Sequence, residues 1–268
     1  MLKIETLTEE VRALGLRSGG VVMVHSSLRK LGQVEQGAAG VIQALRSALG
    51  PTGTLMAMVS WDRSPYAETL DGRTLPGHLK DSWPAFCPVT SSAYPGYGIL
   101  NSALLCEPGV RRSPHPDASF AAVGPAADFL MRVHPFDSAY GIGSPLERFV
   151  DVDGQVLMLG APLDAVTLLH YAEALAAIPH KRRVTYEMPV LQENGTKAWV
   201  RCSDFDSNGI LDCYLTGPDA IESIARCYVQ DNHGVRGRIG EAVCYLFEAR
   251  HLLDYGVSWL ESRHSRSK

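Results

Sequence analysis

A chain of 268 residues that is 46% hydrophobic and 20% charged carries enough apolar side chains for a packed core, which excludes a disordered polymer. Its formal charge of −4 argues against nucleic acid as the main partner, because such proteins present a basic surface. No N-terminal run has the length of a membrane helix or the apolar region of a secretory signal, and the six cysteines form no CxxC pair and no zinc spacing. Reduced, mostly buried thiols in a soluble cytoplasmic protein are expected.

The opening MLKIETLTEEVRALG reads as an amphipathic helix, with Thr6 or Thr8 capping its start and a glycine at its end. GGVVMVH at 19–25 reads as a strand leaving a turn, followed by Ser26 and Ser27. Val41, Ile42, Leu45 and Leu49 mark a helix over 36–49, and a Gly-Pro-Thr-Gly break hands over to a second buried strand, TLMAMVSW. Residues 62–98 differ in kind, rich in proline, glycine and aromatics without a sustained period; a loop this long inside a domain is usually functional. A helix over 100–105 follows, then the loop and short strand of RRSPHPDASFAAVG, then helices at 126–133 and 145–150.

QVLMLGAPLDAVTLLHYAE, residues 155–173, opens with a buried strand, turns through Gly-Ala-Pro and starts a helix near Asp164. VTYEMPVLQENGTKAWVRCSDFD alternates apolar and polar residues around Asn194-Gly195, a hairpin signal. Helices at 219–229 and 249–261 enclose a strand near 242–247, and the basic tail is expected to fray. The fold class is α/β: a single domain over 1–268 with a central mixed β-sheet flanked by helices. The 62–98 excursion and the 184–215 hairpin are additions to its rim.

A strand feeding a helix through a glycine turn is where α/β enzymes place reactive groups. Thr167, His170 and Glu173 stand three apart there and share one helical face. A lone helical histidine is more often structural; its position beside the turn is what raises His170 to a candidate base. Free N–H groups at the helix start, with the Thr167 hydroxyl, suit a developing oxyanion. Glu173 either holds the ring or is an ordinary helix carboxylate. The motif is HYAE rather than HExxH, so no metal is expected.

Asp204, Asp206 and Asp212 lie within nine residues of one another in SDFDSNGILD. The first two face the same way on an extended strand and call for a cation between them, unless the run is simply a polar turn. A calcium loop fails because position 215 is Leu. Trp61, Asp62 and Tyr66 suit a sugar ring bearing ammonium groups, through stacking and cation–π contact, whereas the plain reading buries Trp61 in the core. RRSPHPDASF suits a phosphorylated cofactor held by charge-assisted hydrogen bonds, and HSS at 25–27 offers further hydroxyls.

With SWDRSPYAETL, RRSPHPDASFAAVGP, VLMLGAPLDAVTLLHYAE, KRRVTYEMP and SDFDSNGILDCY in this order, the chain resembles the aminoglycoside 3-N-acetyltransferases, an antibiotic N-acetyltransferase family distinct from the GNAT fold. It looks most like their gentamicin-modifying class II. The resemblance implies acetyl transfer from acetyl-CoA to the 3-amino group of a 2-deoxystreptamine ring, conferring resistance, by a monomer or homodimer. It makes His170 the general base, with Glu222 from another helix preferred over Glu173 to orient it, and Thr167 at the oxyanion. It puts Ser26, Ser27, Arg112, Ser113, His115, Ser119 and Phe120 in motifs that contact CoA. Trp61, Asp62, Tyr66, Glu68, Asp204, Asp206 and Asp212 fall in the acidic antibiotic cleft. One departure is Ala85-Phe86-Cys87, where the family carries Pro-Phe-Asp. Direct transfer is expected, because no serine sits in a GxSxG elbow. The competing readings are an acetyltransferase for another amino sugar or polyamine, and a non-catalytic cation-binding protein.

Overall fold

The apolar runs become strands buried on both faces. A computed structural model describes residues 1–179, 181–206 and 220–264. Its strands are β1 (Val21–Ser26), β2 (Thr54–Met58), β3 (Arg111–Arg112), β4 (Phe120–Val123), β5 (Gln155–Leu159), β6 (Arg183–Leu191), β7 (Lys197–Phe205), β8 (Val235–Ile239) and β9 (Ala242–Glu248). Side chains alternate across a strand, so Met23, Met56 and Met158 enter one core while Val24, Leu55 and Leu157 enter the other. Strands apolar on both sides need cover on both. Helices Ile4–Ala13, Gly37–Leu49 and Ile99–Leu105 close one face. Helices Pro145–Asp151, Leu168–Leu175, Ala220–Gln230 and Ala249–His264 are among those that close the other.

The central sheet has seven strands in the order β3-β4-β2-β1-β5-β9-β8. β1 runs parallel to β2 and to β5, and the remaining pairs are antiparallel, so the sheet is mixed as expected. The chain leaves β1 for β2 on one side, and β5 later docks on the other. All three carboxyl ends therefore open on one edge, where sheets of this kind bind ligands. Gly160, at φ 70°, turns the chain off β5 beside Ser26.

β6 and β7 form a hairpin where one was expected, turned at Gly195 (φ 79°), and stand apart as a second sheet; residues 207–215 of the expected 184–215 span lie outside the described residues. The 62–98 excursion is stitched to this hairpin. Phe86 N donates to Pro189 O and Leu191 N to Phe86 O, each at 2.8 Å, and Thr69 Oγ1 donates to Glu187 O at 3.0 Å. The two rim additions are thus one wall.

Several local expectations are corrected. The first helix is capped by neither threonine: it starts at Ile4, and Thr8 Oγ1 donates back to Ile4 O at 2.8 Å. The second strand stops at Met58 because Ser60, at φ 42°, turns the chain before Trp61. A short 3-10 turn, Leu163–Ala165, precedes the helix that starts at Leu168. The excursion carries short helices at Tyr66–Thr69 and Gly77–Ser82, and β8 is a strand that no sequence signal announced. Of the described cysteines, Cys202 and Cys244 are buried, Cys87 and Cys227 half-buried and Cys106 exposed; all are free thiols. No described helix is long and apolar enough to cross a membrane.

Candidate active site

Two cavities meet above the carboxyl edge of the sheet. The first, of about 630 Å³, is floored by the end of β1 (His25, Ser26), the following Ser27 and Asn101, and walled by Ala161 and Thr167 after β5. The second, of about 460 Å³, opens between the excursion and the hairpin and is lined by Trp61, Asp62, Tyr66, Asp117, Tyr186 and Asp204. His170, Tyr97 and Tyr140 line both.

His170 reaches this junction from the first turn of helix Leu168–Leu175, whose opposite side buries Leu168, Leu169 and Ala172. Its Nδ1 lies 2.8 Å from Glu173 Oε2, and Glu173 is fully buried. A carboxyl oxygen accepts Nδ1–H, which leaves a lone pair on Nε2. The Tyr140 ring lies 5.0 Å from the imidazole, centroid to centroid. Glu222 is paired within its own helix. Ile221, Ile224, Ala225 and Tyr228 turn helix Ala220–Gln230 inward, and Glu222 Oε1 accepts from Arg226 Nε at 2.8 Å one turn along the same helix. Among the described residues the carboxylate at the ring is therefore Glu173 and not the preferred Glu222.

Thr167 precedes the helix and lines the first cavity, its Oγ1 3.5 Å from Ala165 O and 3.7 Å from Met58 Sδ. Ser26 Oγ and His25 Nε2 are enclosed and have no hydrogen-bond partner among the described residues. Burial, with His170 nearby, pulls the His25 pKa down to about 4.

Of the residues expected at CoA, only Ser26 and Ser27 line the first cavity. Arg112, Ser113, His115, Ser119 and Phe120 are interior. The Arg112 guanidinium donates to the carbonyls of Ser60 and Ser91 and, through Nε, to Ser119 Oγ at 3.0 Å, and it stacks 4.8 Å from the Phe86 ring centroid. Ser113 Oγ lies 3.0 Å from His134 Nδ1, and the His115 and His134 rings are 4.7 Å apart. The proline-stiffened loop is therefore an internal brace. An Arg-Ser-His run binds a buried backbone as readily as a phosphate, since carbonyls accept the same donors.

In the second cavity Trp61 meets both readings: it lines the wall yet is only 3% exposed, edge-on to Phe86 at 5.6 Å. Tyr66 packs edge-on to Tyr186 at 4.8 Å. Glu68 lies outside the lining, exposed on its short helix. Asp204 faces the cavity, but Asp206 does not join it there: its Oδ2 is 3.2 Å from Arg182 Nε. Asp212 lies outside the described residues. Burial raises the Asp204 pKa to about 6, against the lowering pull of the Phe205 N–H, Arg183 and His170. Burial also raises Asp117, which accepts from Ser64 Oγ at 2.6 Å.

Asp117, Tyr97, Tyr140 and Asn101 were missed as site residues. Asp117 stood inside RRSPHPDASF and Tyr97 inside the aromatic excursion, so both had a signal; Tyr140 and Asn101 had none. No group of three or more described His, Cys, Asp or Glu residues is placed to hold a metal ion.

The model of a family described as aminoglycoside 3-N-acetyltransferase matches residues 23–261. An aminoglycoside N(3)-acetyltransferase III of Serratia marcescens is 54% identical over 263 residues, covering 97% of this chain and 98% of its own. The crystal structure of aminoglycoside acetyltransferase AAC(3)-IIb superposes with a TM-score of 0.95 at 53% identity, covering 99% of both chains. A structure of AAC-IIIb in a binary complex with CoASH superposes with a TM-score of 0.92 at 36% identity, covering 99% of this chain and 98% of that one.

Proposed function

The chain belongs to the aminoglycoside 3-N-acetyltransferase family, and from that premise we propose that it moves the acetyl group of acetyl-CoA directly to the 3-amino group of a 2-deoxystreptamine antibiotic, with His170 as general base. The observation that carries this reading is that His170 lines both cavities at once. A base that serves a two-substrate transfer has to stand where the substrates meet.

The first cavity suits the acyl donor. Its long arm carries amides, and the cavity offers the unpartnered Ser26 hydroxyl, with Ser27 and Asn101 beside it and Arg29 at its lining for negative charge. The donor supplies an acetyl group activated as a thioester. The second cavity suits the acceptor: Asp62, Asp117 and Asp204 attract ammonium groups, and Trp61, Tyr66 and Tyr186 offer apolar faces to a sugar.

An amine attacks only as its free base. His170 Nε2 takes the proton as the nitrogen bonds the acetyl carbon, and Glu173 steadies the imidazolium through Nδ1–H. Thr167 lines the donor side, and its hydroxyl is assigned to the oxygen on which charge develops. Such chemistry would inactivate the antibiotic in the cytoplasm, where the free thiols persist.

Incubating gentamicin and acetyl-CoA with the protein, then separating by liquid chromatography and mass spectrometry, should yield a mono-acetylated antibiotic and one free CoA thiol per product. Antibiotic bound without thiol release would instead favour cation sequestration. Rapid turnover of other amino sugars, with gentamicin untouched, would favour a different acceptor.

A further inference from the structure

The floor of the first cavity holds a side chain that the mechanism above leaves unused. His25 is the penultimate residue of β1, paired with Met158 of β5, and it lines the cavity together with Thr167 and His170. The residue is half-buried, but its Nε2 is fully enclosed and has no hydrogen-bond partner among the described residues. The next side chain, Ser26, ends the same way. An enclosed polar atom left unpaired costs about 1–3 kcal/mol, so the unpartnered Nε2 of a side chain that lines the cavity points to a ligand that satisfies it.

We propose that His25 is a second catalytic imidazole, whose Nε2–H hydrogen-bonds the carbonyl oxygen of the acetyl thioester and stabilises the charge that gathers there during transfer. This rests on the reading of the first cavity as the donor site. A histidine can serve as such a donor only while it stays uncharged and holds its proton on the nitrogen facing the oxygen. Burial, with His170 close by, lowers the His25 pKa to about 4, which favours the neutral ring near neutral pH. A neutral imidazole that polarises a carbonyl is an established device for charge developing on oxygen.

The step balances as follows. The acceptor nitrogen forms the C–N bond with its lone pair, and the carbonyl π pair moves to oxygen, where His25 Nε2–H and the Thr167 hydroxyl meet it. His170 takes the nitrogen's proton. When the carbonyl reforms, the C–S bond breaks with its pair on sulfur, and the proton on His170 passes to that sulfur, giving amide, free thiol and neutral imidazoles. Two imidazoles thus divide the work, one moving a proton and one holding still.

The test is steady-state kinetics on the full chain with acetyl-CoA and gentamicin, comparing His25→Ala, His25→Gln and His170→Ala. Losing one oxyanion donor costs about 100- to 1,000-fold in kcat. His25→Ala should fall that far with KM for acetyl-CoA and Kd for CoA unchanged, and His25→Gln, which keeps an N–H near the same place, should recover part of the rate. The pH at which kcat falls should not move, because no charge is removed. A wild-type kcat for His25→Ala overturns the proposal. So does a rise in acetyl-CoA KM with kcat intact, which would make His25 a binding residue for the donor's arm. Equal loss in both variants with a lowered Tm would make it structural. His170→Ala separates the two levels: if it too keeps its rate, the reading of the cavities has failed; if it alone collapses, only the role of His25 has.

Discussion

The two cavities are built in different ways. The first stands on the strand ends of a seven-stranded sheet, at positions fixed by the register of β1 against β5. The second is walled by the excursion and the hairpin, which join the molecule through backbone hydrogen bonds such as Tyr94 N to Val59 O and Ser203 N to Phe136 O, through Arg112 and Ala93, and through a small cluster around Tyr186 and Met188. On the proposed reading, an acyl donor common to every turnover would be met by scaffold geometry, whereas an acceptor that varies in its amines would be met by loops. Function of the first kind sits on rigid elements, and specificity of the second kind sits on segments that tolerate change.

If His170 is the hinge between the cavities, its loss should hurt most and should not distinguish them. His170→Ala is expected to lower kcat by about 100- to 10,000-fold, roughly 3–5 kcal/mol of barrier, with the affinity for CoA held. Isothermal titration of CoA beside a thiol-release assay measures both. A variant that keeps most of its rate removes His170 from the chemistry.

The next effect bears on the brace behind the acceptor wall. Arg112 ties the Ser60 turn to β3 through a buried hydrogen bond and the Ser91 loop through a partly buried one. Arg112→Ala leaves the buried Ser60 carbonyl and Ser119 hydroxyl without their donor and should cost about 3 kcal/mol of stability, a fall in Tm of roughly 6–12 °C for a chain of this size. Had Arg112 held the cofactor, as its motif suggested, acetyl-CoA KM would rise and Tm would stay. Calorimetry with kinetics separates the outcomes.

Glu173→Gln keeps the shape and removes the charge that steadies the imidazolium. A hydrogen bond to a charged group is worth about 1.5–3 kcal/mol, so kcat should fall roughly 10- to 150-fold with little change in either KM. An unchanged kcat would make the Glu173 contact only structural.

Asp204 sharpens the contrast from the acceptor side. Its pKa, pushed up to about 6 by burial, means the carboxylate forms as pH rises through 6 and is lost as pH falls. Above that pH it attracts the acceptor's ammonium groups, so Asp204→Asn should raise the antibiotic KM about tenfold, near 1.4 kcal/mol. The gap between variant and wild type should close below pH 6. A gap that stays constant across pH would show that the side chain acts by shape rather than charge.

How much of this was legible depended on how local the cause was. The strands that carry the first cavity announce themselves, because a strand buried on both faces must be a short apolar run, and His170 follows one of them through a visible glycine turn. The parallel pairing of β1 with β5 across more than a hundred residues left no periodic trace, so nothing marked His25 as a neighbour of His170. Polar motifs misled where burial decided their meaning. Arg112, Ser113 and His115 look like a phosphate loop until the surrounding carbonyls are placed. Asp206 looks like the twin of Asp204 until Arg182 arrives from the neighbouring segment.

Glu222 gives the smallest effect and the sharpest reading of helix phase. It was preferred because a carboxylate from another helix can meet an imidazole end-on, but that argument fixes distance only if the helix is turned the right way. Helix Ala220–Gln230 spends its inward face on Ile221, Ile224, Ala225 and Tyr228, and a residue one step past Ile221 points about 100° away. Glu222 instead lies under Arg226, an i,i+4 pair worth about 0.3–0.5 kcal/mol. Glu222→Ala should therefore leave kcat within about twofold, and a tenfold loss would return Glu222 to the histidine and unseat Glu173.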